Sequence, residues 1–355
     1  MSPDTEIRSV QVPTSRLRTH LLLSGAGSAI PVLLIHGNVS SARFFAGLIP
    51  ALAADRRVLA PDLRGFGASQ TADVDGTRGL ADFADDLHAL LAADGGSQVT
   101  GPVHLVGWSM GGGVAMRYAI DHPDRVASVT LLASMSPYGF GGTKGPDGAP
   151  CWPDWAGSGG GTANPELVRR LADGDQSTDS PLSPRSVLQS TYLAAPHRLP
   201  AGEEDTAVAE MLAMAIGDGN YPGTSVTSPN WPYCAPGERG VLNAISPRYC
   251  DLSAFAGIAP GPDVLWIHGD RDQIVSDTSL SDFGYLGQQG LVPGWPGADD
   301  YPPQPMVTQL RHVLDRYAAA GGSYREEVLA DCGHSPHLEH PVAVAALIGE
   351  FIRSR

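Results

Sequence analysis

The chain has one lysine, Lys144, against twenty-two arginines. Arginine is too basic to shuttle protons or form imines. Lysine chemistry, a pyridoxal Schiff base included, therefore has a single candidate, set in the glycine-rich stretch Phe140-Gly141-Gly142-Thr143-Lys144-Gly145. Positive charge is short overall. A net charge of −15 argues against nucleic acid or an anionic membrane as partner. Of the four cysteines, Cys151, Cys234, Cys250 and Cys332, none forms a C-x-x-C pair, which removes zinc and dithiol redox motifs. A Cys234–Cys250 bridge stays open. No window reaches the ~18 apolar residues of a membrane span, and residues 1–12 carry no apolar core of a secretory leader. Together these shortages predict a reduced, cytoplasmic protein with no metal and no cofactor. No internal repeat is visible.

What is present is an alternation. Apolar runs at 16–24, 31–35, 57–60, 103–106, 126–132 and 264–267 read as strands, and 324–329 alternates. Between them, 42–53, 80–92, 306–320 and 342–352 carry helical spacing, with Asp82, Asp85 and Asp86 expected on a solvated face. Mostly apolar strands alternating with helices predict an α/β fold whose parallel sheet is covered on both faces. Ligands then gather at the carboxyl ends of the strands. The stretch 136–262 differs, with glycine and proline making up about a quarter of it. Its better helical windows are 165–172, 183–194 and 203–215, and it holds eight tyrosines and tryptophans, Tyr192 and Trp231 among them. It reads as a cap over a core formed by 1–135 and 263–355. A second insertion, 276–305, carries Phe283, Tyr285, Trp295 and Tyr301 and is expected at the same mouth.

Gly107-Trp108-Ser109-Met110-Gly111 joins the run at 103–106 to a small-residue helix. A serine between two glycines at a strand-to-helix turn matches a nucleophile elbow. The turn forces unusual backbone angles that flanking side chains would obstruct, and the helix start aims amides at an anion. A serine hydroxyl needs a base. Cys332-Gly333-His334-Ser335-Pro336-His337-Leu338-Glu339-His340-Pro341 offers His334 just after the last strand, with His337 and His340 as competitors. The imidazole needs an orienting acceptor. Asp272 in His268-Gly269-Asp270-Arg271-Asp272 is favoured over Asp270, which sits directly at the turn. In His36-Gly37-Asn38 the Asn38 amide can join the Met110 amide as a two-donor oxyanion hole. His36 reads as structural. Trp108 and the Asn38 side chain are read as substrate contacts.

The order Ser109, Asp272, His334, with His36-Gly37-Asn38, Asp62-Leu63-Arg64-Gly65-Phe66-Gly67-Ala68-Ser69 and the G-H-x-P-x-x-E-x-P of 333–341, resembles the α/β-hydrolase superfamily. The resemblance covers 16–133 and 263–352. It implies a mostly parallel eight-stranded sheet, helices on both faces and a large cap insertion, with Asp62 and Arg64 structural. Relatives with an aspartate nucleophile, the haloalkane dehalogenases and epoxide hydrolases, are excluded by Ser109. The expected activity is cleavage of a carboxylic ester or lactone, on a bulky and mostly apolar substrate if the cap aromatics line the pocket. Hydrolysis of a carbon–carbon bond in a diketone-like ring-cleavage product, peracid formation and a hydrolase-like ligand receptor stand as alternatives.

Overall fold

The computed structural model describes residues 6–94 and 98–353; residues 1–5 of the segment read for a leader lie outside it. Eight strands form one sheet: β1 (Arg8–Pro13), β2 (Arg18–Ser24), β3 (Ala29–Ile35), β4 (Arg56–Pro61), β5 (Val103–Trp108), β6 (Val126–Leu132), β7 (Asp263–Gly269) and β8 (Tyr324–Leu329). Their spatial order is β1-β2-β4-β3-β5-β6-β7-β8. β2 runs antiparallel to β1 and β4, and every other pairing is parallel. Each residue of β5 is buried, as is all but one of β6. Continuous apolar runs produce this pattern because helices cover both faces. β8, at the edge of the sheet, has no fully buried residue. β1, Arg-Ser-Val-Gln-Val-Pro, is mostly exposed and ends at Pro13, so it has no strong apolar signal for a sequence reading to find.

The principal helices are α1 (Ala81–Ala92), α2 (Met110–Asp121), α3 (Pro165–Ala172), α4 (Ala201–Leu212), α5 (Met306–Ala319) and α6 (Pro341–Arg353). None of the described helices is long and apolar enough to cross a membrane. Two expectations need correction. The span 42–53 is not one helix but a 3-10 turn, Ala42–Phe45, and one α turn, Ile49–Leu52. Gly47 separates them, and Pro50 has no amide to continue a helix through that point. Asp82 and Asp86 are not solvated but buried. Asp86 takes a bidentate pair from Arg64 at 2.6 and 2.7 Å, and Arg16 reaches both carboxylates. Burial is tolerated because the charges are matched.

Between β6 and β7 the chain forms α3, a short helix Pro184–Val187 that widens into a π turn at Leu188–Tyr192, and α4. Asn164 starts α3 by accepting from the Glu166 and Leu167 amides, with Pro165 at the first helical position. Two buried glutamines tie this segment to the start of α5. Gln304 accepts from the Gly141 amide and donates to the Gly139 carbonyl, while Gln309 accepts from the Ser136 hydroxyl. Cys151, Trp231 and Tyr301 form a separate apolar cluster with Trp152, Phe283, Val292 and Trp295. The Trp231 indole donates to the Pro293 carbonyl, and the Tyr301 hydroxyl donates to the Ala156 carbonyl. These aromatics therefore join the two insertions to each other and give no reason to infer a bulky apolar substrate. All four cysteines are free, and burial pushes the Cys151 and Cys250 thiols up to about 12.

Candidate active site

Parallel strands deliver their carboxyl ends to one edge of the sheet, and the predicted residues follow those ends. Ser109 comes directly after β5 with φ 56° and ψ −122°. This is a backbone region that costs a non-glycine residue about 1–3 kcal/mol. Both sides of its peptide hold it there: the amide donates to the Leu132 carbonyl at 2.9 Å, and the carbonyl accepts from the Gly112 and Met135 amides. Three glycines make the turn sterically feasible. A methyl on Gly107 would lie 2.2 Å from the Gly111 carbonyl oxygen, one on Gly111 2.1 Å from that of Ile35, and one on Gly37 2.9 Å from the Ser109 Cβ. Met110 opens α2, so its amide has no intrahelical acceptor.

His334 follows β8 by way of a short loop and is buried. Its Nδ1 lies 2.8 Å from Asp272 Oδ2. The other carboxylate oxygen of Asp272 accepts from the Ile274 and Val275 amides at 2.8 and 2.9 Å, which fixes its plane. Asp270 does not compete. It sits at the turn, 3.4 Å from the Cys332 amide. An ionised Asp272 carries no proton, so Nδ1 carries it and Nε2 keeps a lone pair in the neutral ring.

Four further contacts position this pair. The Trp108 indole donates to the His334 carbonyl at 2.7 Å, and its ring stacks on Phe44 at 5.4 Å. Trp108 is fully buried. Its indole N–H is committed to the histidine loop. Buried Glu339 accepts from the amides of Gly333, Ala194 and Ser335. Burial raises its pKa although those amides oppose the rise. Tyr192 packs edge to face with both the His334 and Trp108 rings, ring centres 5.9 Å apart in each case, and donates its hydroxyl to the Asn38 carbonyl at 3.1 Å. The Cys332 thiol is buried beside Gly333 and Glu339 as packing. Sequence reasoning assigned no role to Glu339 or Tyr192. The G-H-x-P-x-x-E spacing was the one signal for Glu339; Tyr192 had none beyond being one aromatic among many. Replacing Glu339 by alanine strips three buried amides of their acceptor. The expected loss is about 3 kcal/mol in urea unfolding, since each orphaned group costs ~1–3 kcal/mol and some regain water.

The first strand-end loop supplies Asn38, whose side-chain oxygen accepts from the Val39 amide at 3.0 Å and so turns back on its own backbone. His36 is structural, as read: Nδ1 faces the Gly37 carbonyl at 2.8 Å and Nε2 accepts from the Leu63 amide. Asp62 accepts from the Ala42 and Ala68 amides, a structural role that agrees with the resemblance. Among the described residues no group of three histidines, cysteines or carboxylates could hold a metal. Three arginines after strand ends are paired with carboxylates: Arg43 with Glu210, Arg64 with Asp86, Arg271 with Asp331.

His337 lies on a short helix, Pro336–Glu339, packed 4.6 Å from the Trp108 ring and 4.9 Å from Phe45. Neither ring nitrogen has a hydrogen-bond partner among the described residues. Burial, with the nearby His334, pushes its pKa down to about 3. An unfolded imidazole takes a proton near pH ~6.5. Below that pH the unfolded chain gains a proton that the folded chain refuses, so the stability present above it is lost as pH falls. Between about pH 7 and pH 5 this one group is expected to remove about 2 kcal/mol. Urea unfolding of the parent and of His337→Phe checks this: the variant loses less on acidification.

A family model described as the alpha/beta hydrolase fold matches residues 30–289. The chain is an α/β hydrolase. Among similar proteins, this α/β hydrolase is 37% identical over 350 residues to the 2-hydroxymuconate semialdehyde hydrolase of Pseudomonas sp. (strain CF600), covering 96% of this chain and 93% of that one. It is 35% identical over 108 residues to the pimeloyl-[acyl-carrier protein] methyl ester esterase of Aeromonas hydrophila, covering 30% of this chain and 39% of that one. Its fold matches the 2-hydroxy-6-oxo-6-phenylhexa-2,4-dienoate hydrolase of Rhodococcus sp. strain RHA1 with a TM-score of 0.59 at 22% identity, over 98% of this chain and 99% of that one.

Proposed function

We propose that this hydrolase cleaves a neutral carboxylic ester or lactone through an acyl-enzyme on Ser109. The observation that carries the reading is the His334–Asp272 pair on the same sheet edge as a serine held in strained geometry at a helix start. In this reading His334 Nε2 takes the Ser109 proton as Oγ bonds to the carbonyl carbon, and returns it to the leaving alcohol. Asp272 keeps the ring in the tautomer that can do so. The Met110 and Asn38 amides hold the oxyanion, each contributing ~10²–10³ in turnover. Water activated by His334 then releases the acid. The segment 136–262 acts as a cap, with Tyr192 as its contact with the histidine. The substrate is a small molecule. The net charge of −15 fits neither nucleic acid nor an anionic membrane as partner.

Neutrality of the substrate is argued from charge. Arg43, Arg64 and Arg271, which follow strand ends, each already meet a carboxylate. A carboxylate brought into the site would compete with those pairs: breaking the buried Arg64–Asp86 pair costs several kcal/mol, and breaking the half-exposed pairs of Arg43 and Arg271 about 0–1 kcal/mol. The second reading, carbon–carbon hydrolysis of a ring-cleavage product, is favoured by the similarity to the Pseudomonas hydrolase along nearly the whole chain. Its substrate, named as a muconate, carries a carboxylate. Rate constants for a p-nitrophenyl ester chain-length series and simple lactones, set against 2-hydroxymuconate semialdehyde, separate the two. Turnover of an ester or lactone with kcat/KM at least a hundredfold above that of the muconate supports the first. The reverse order replaces it with the second.

A further inference from the structure

A second serine, histidine and aspartate are linked at the other end of the sheet. Ser9 on the edge strand β1 places Oγ 2.7 Å from His20 Nε2. His20, on β2, places Nδ1 2.7 Å from Asp62 Oδ2. The remaining oxygen of Asp62 accepts from the Ala42 amide at 2.8 Å, and Oδ2 also accepts from Ala68. The histidine backbone is fixed too: its amide donates to Ser69 Oγ, which itself donates to the Asp62 carbonyl. Asp272 is likewise held by two amides while it meets His334 Nδ1, although there both amides reach the oxygen that the histidine leaves free. Burial works against ionisation of Asp62, but the His20 bond, the neighbouring His36 and the two amides outweigh it and hold its carboxyl below the usual range. An ionised Asp62 can only accept, so the neutral His20 ring carries its proton on Nδ1 and turns the Nε2 lone pair to Ser9. Ser9 is exposed, whereas His20 and Asp62 are buried.

We propose that Ser9 is a second activated hydroxyl, a site of self-acylation by small activated acyl donors, with His20 as its base and Asp62 as the group that orients the base. With an aryl ester as donor, Ser9 Oγ bonds to the acyl carbon and the bond from that carbon to the aryl oxygen breaks. The serine proton passes to His20 Nε2 and from there to the departing phenolate. The product is an O-acyl serine and a free phenol, so no other reactant is needed. The site differs from that of Ser109 in one respect that sets its rate. Ser9 lies in extended strand, not at a helix start, so no amide pair of that kind receives the oxyanion. Loss of one such donor costs ~10²–10³, and two are missing. The expected behaviour is slow stoichiometric modification and not turnover, which makes it a labelling site on the surface opposite in character to the capped one.

The test uses the full chain carrying Ser109→Ala, so its outcome does not depend on the role given to Ser109. The protein is incubated with p-nitrophenyl acetate, and acetylated peptides are quantified by mass spectrometry over time. Ser15 and Ser177 are the internal references, exposed serines whose hydroxyls meet no histidine among the described hydrogen bonds. Acetylation of Ser9 at least tenfold faster than of either reference, reduced to their level by His20→Gln, is the expected result. Equal rates at all three serines, or a Ser9 rate that His20→Gln leaves unchanged, overturns the proposal and leaves a purely structural hydrogen bond. Should His20→Gln not fold, the same measurement on the Ser109→Ala protein in concentrated urea replaces it. Selectivity for Ser9 must then vanish, and selectivity that survives unfolding overturns the proposal equally.

Discussion

Ser109→Ala is expected to lower turnover by ~10⁴–10⁶ while leaving the fold intact. The side chain of Ser109 carries no load in the turn. Its backbone is what β5, β6 and the following loop grip, through the Leu132 carbonyl and the Gly112 and Met135 amides. Alanine has the same Cβ and accepts the same amide bonds, so the thermal midpoint should move little. The chemistry has no substitute nearby. Removing the hydroxyl forces direct attack by water in a site arranged around a covalent intermediate, and what remains is the oxyanion donors and binding alone. A stopped assay at high enzyme concentration, with the parent diluted to match, measures the drop. Retention of more than a tenth of the parent activity would remove Ser109 from the mechanism.

Asp272→Asn is expected to cost ~10⁴ in kcat with little change in KM. The amide keeps an oxygen for the Ile274 and Val275 amides, and that requirement fixes its orientation. Its NH2 group then faces His334 Nδ1 and donates where the carboxylate accepted. The ring responds by moving its proton to Nε2, and the nitrogen that should receive the serine proton is occupied. Binding surfaces are untouched, so the effect falls on the chemical step. A drop of less than tenfold would mean that the aspartate holds the loop and does not set the tautomer. The pair of variants also separates roles, because groups acting as a unit are not additive: the double variant should be no slower than Ser109→Ala alone.

The elbow was legible in the sequence because its geometry leaves few residues that fit. Glycine is required where a methyl would fall within 2.2 Å of a carbonyl oxygen, as at Gly107 and Gly111. Such positions write themselves into local sequence. Asp272 and His334 were legible for a related reason, each following a strand that ends at the same sheet edge, the first buried and the second at the margin of the sheet. The supporting contacts were not. Trp108 meets the His334 carbonyl from 226 residues away, and Tyr192 reaches Asn38 across 154. No local pattern records which aromatic in a long irregular segment faces the site. The same limit misled the reading of the aromatics at 231 and 301, whose partners lie in the other insertion. Asp82 and Asp86 misled it through charge: a carboxylate on a helix reads as solvated until its arginine is located in space.

Covalent trapping tests the account most directly. A fluorophosphonate probe added in slight excess, followed by digestion and peptide mass spectrometry, reports which hydroxyl a carbonyl-like electrophile finds first. The account predicts a dominant adduct on Ser109, its loss in Ser109→Ala, and its slowing by about the same factor as turnover in Asp272→Asn. A dominant adduct on any other residue, or undiminished total labelling after Ser109→Ala, would contradict it.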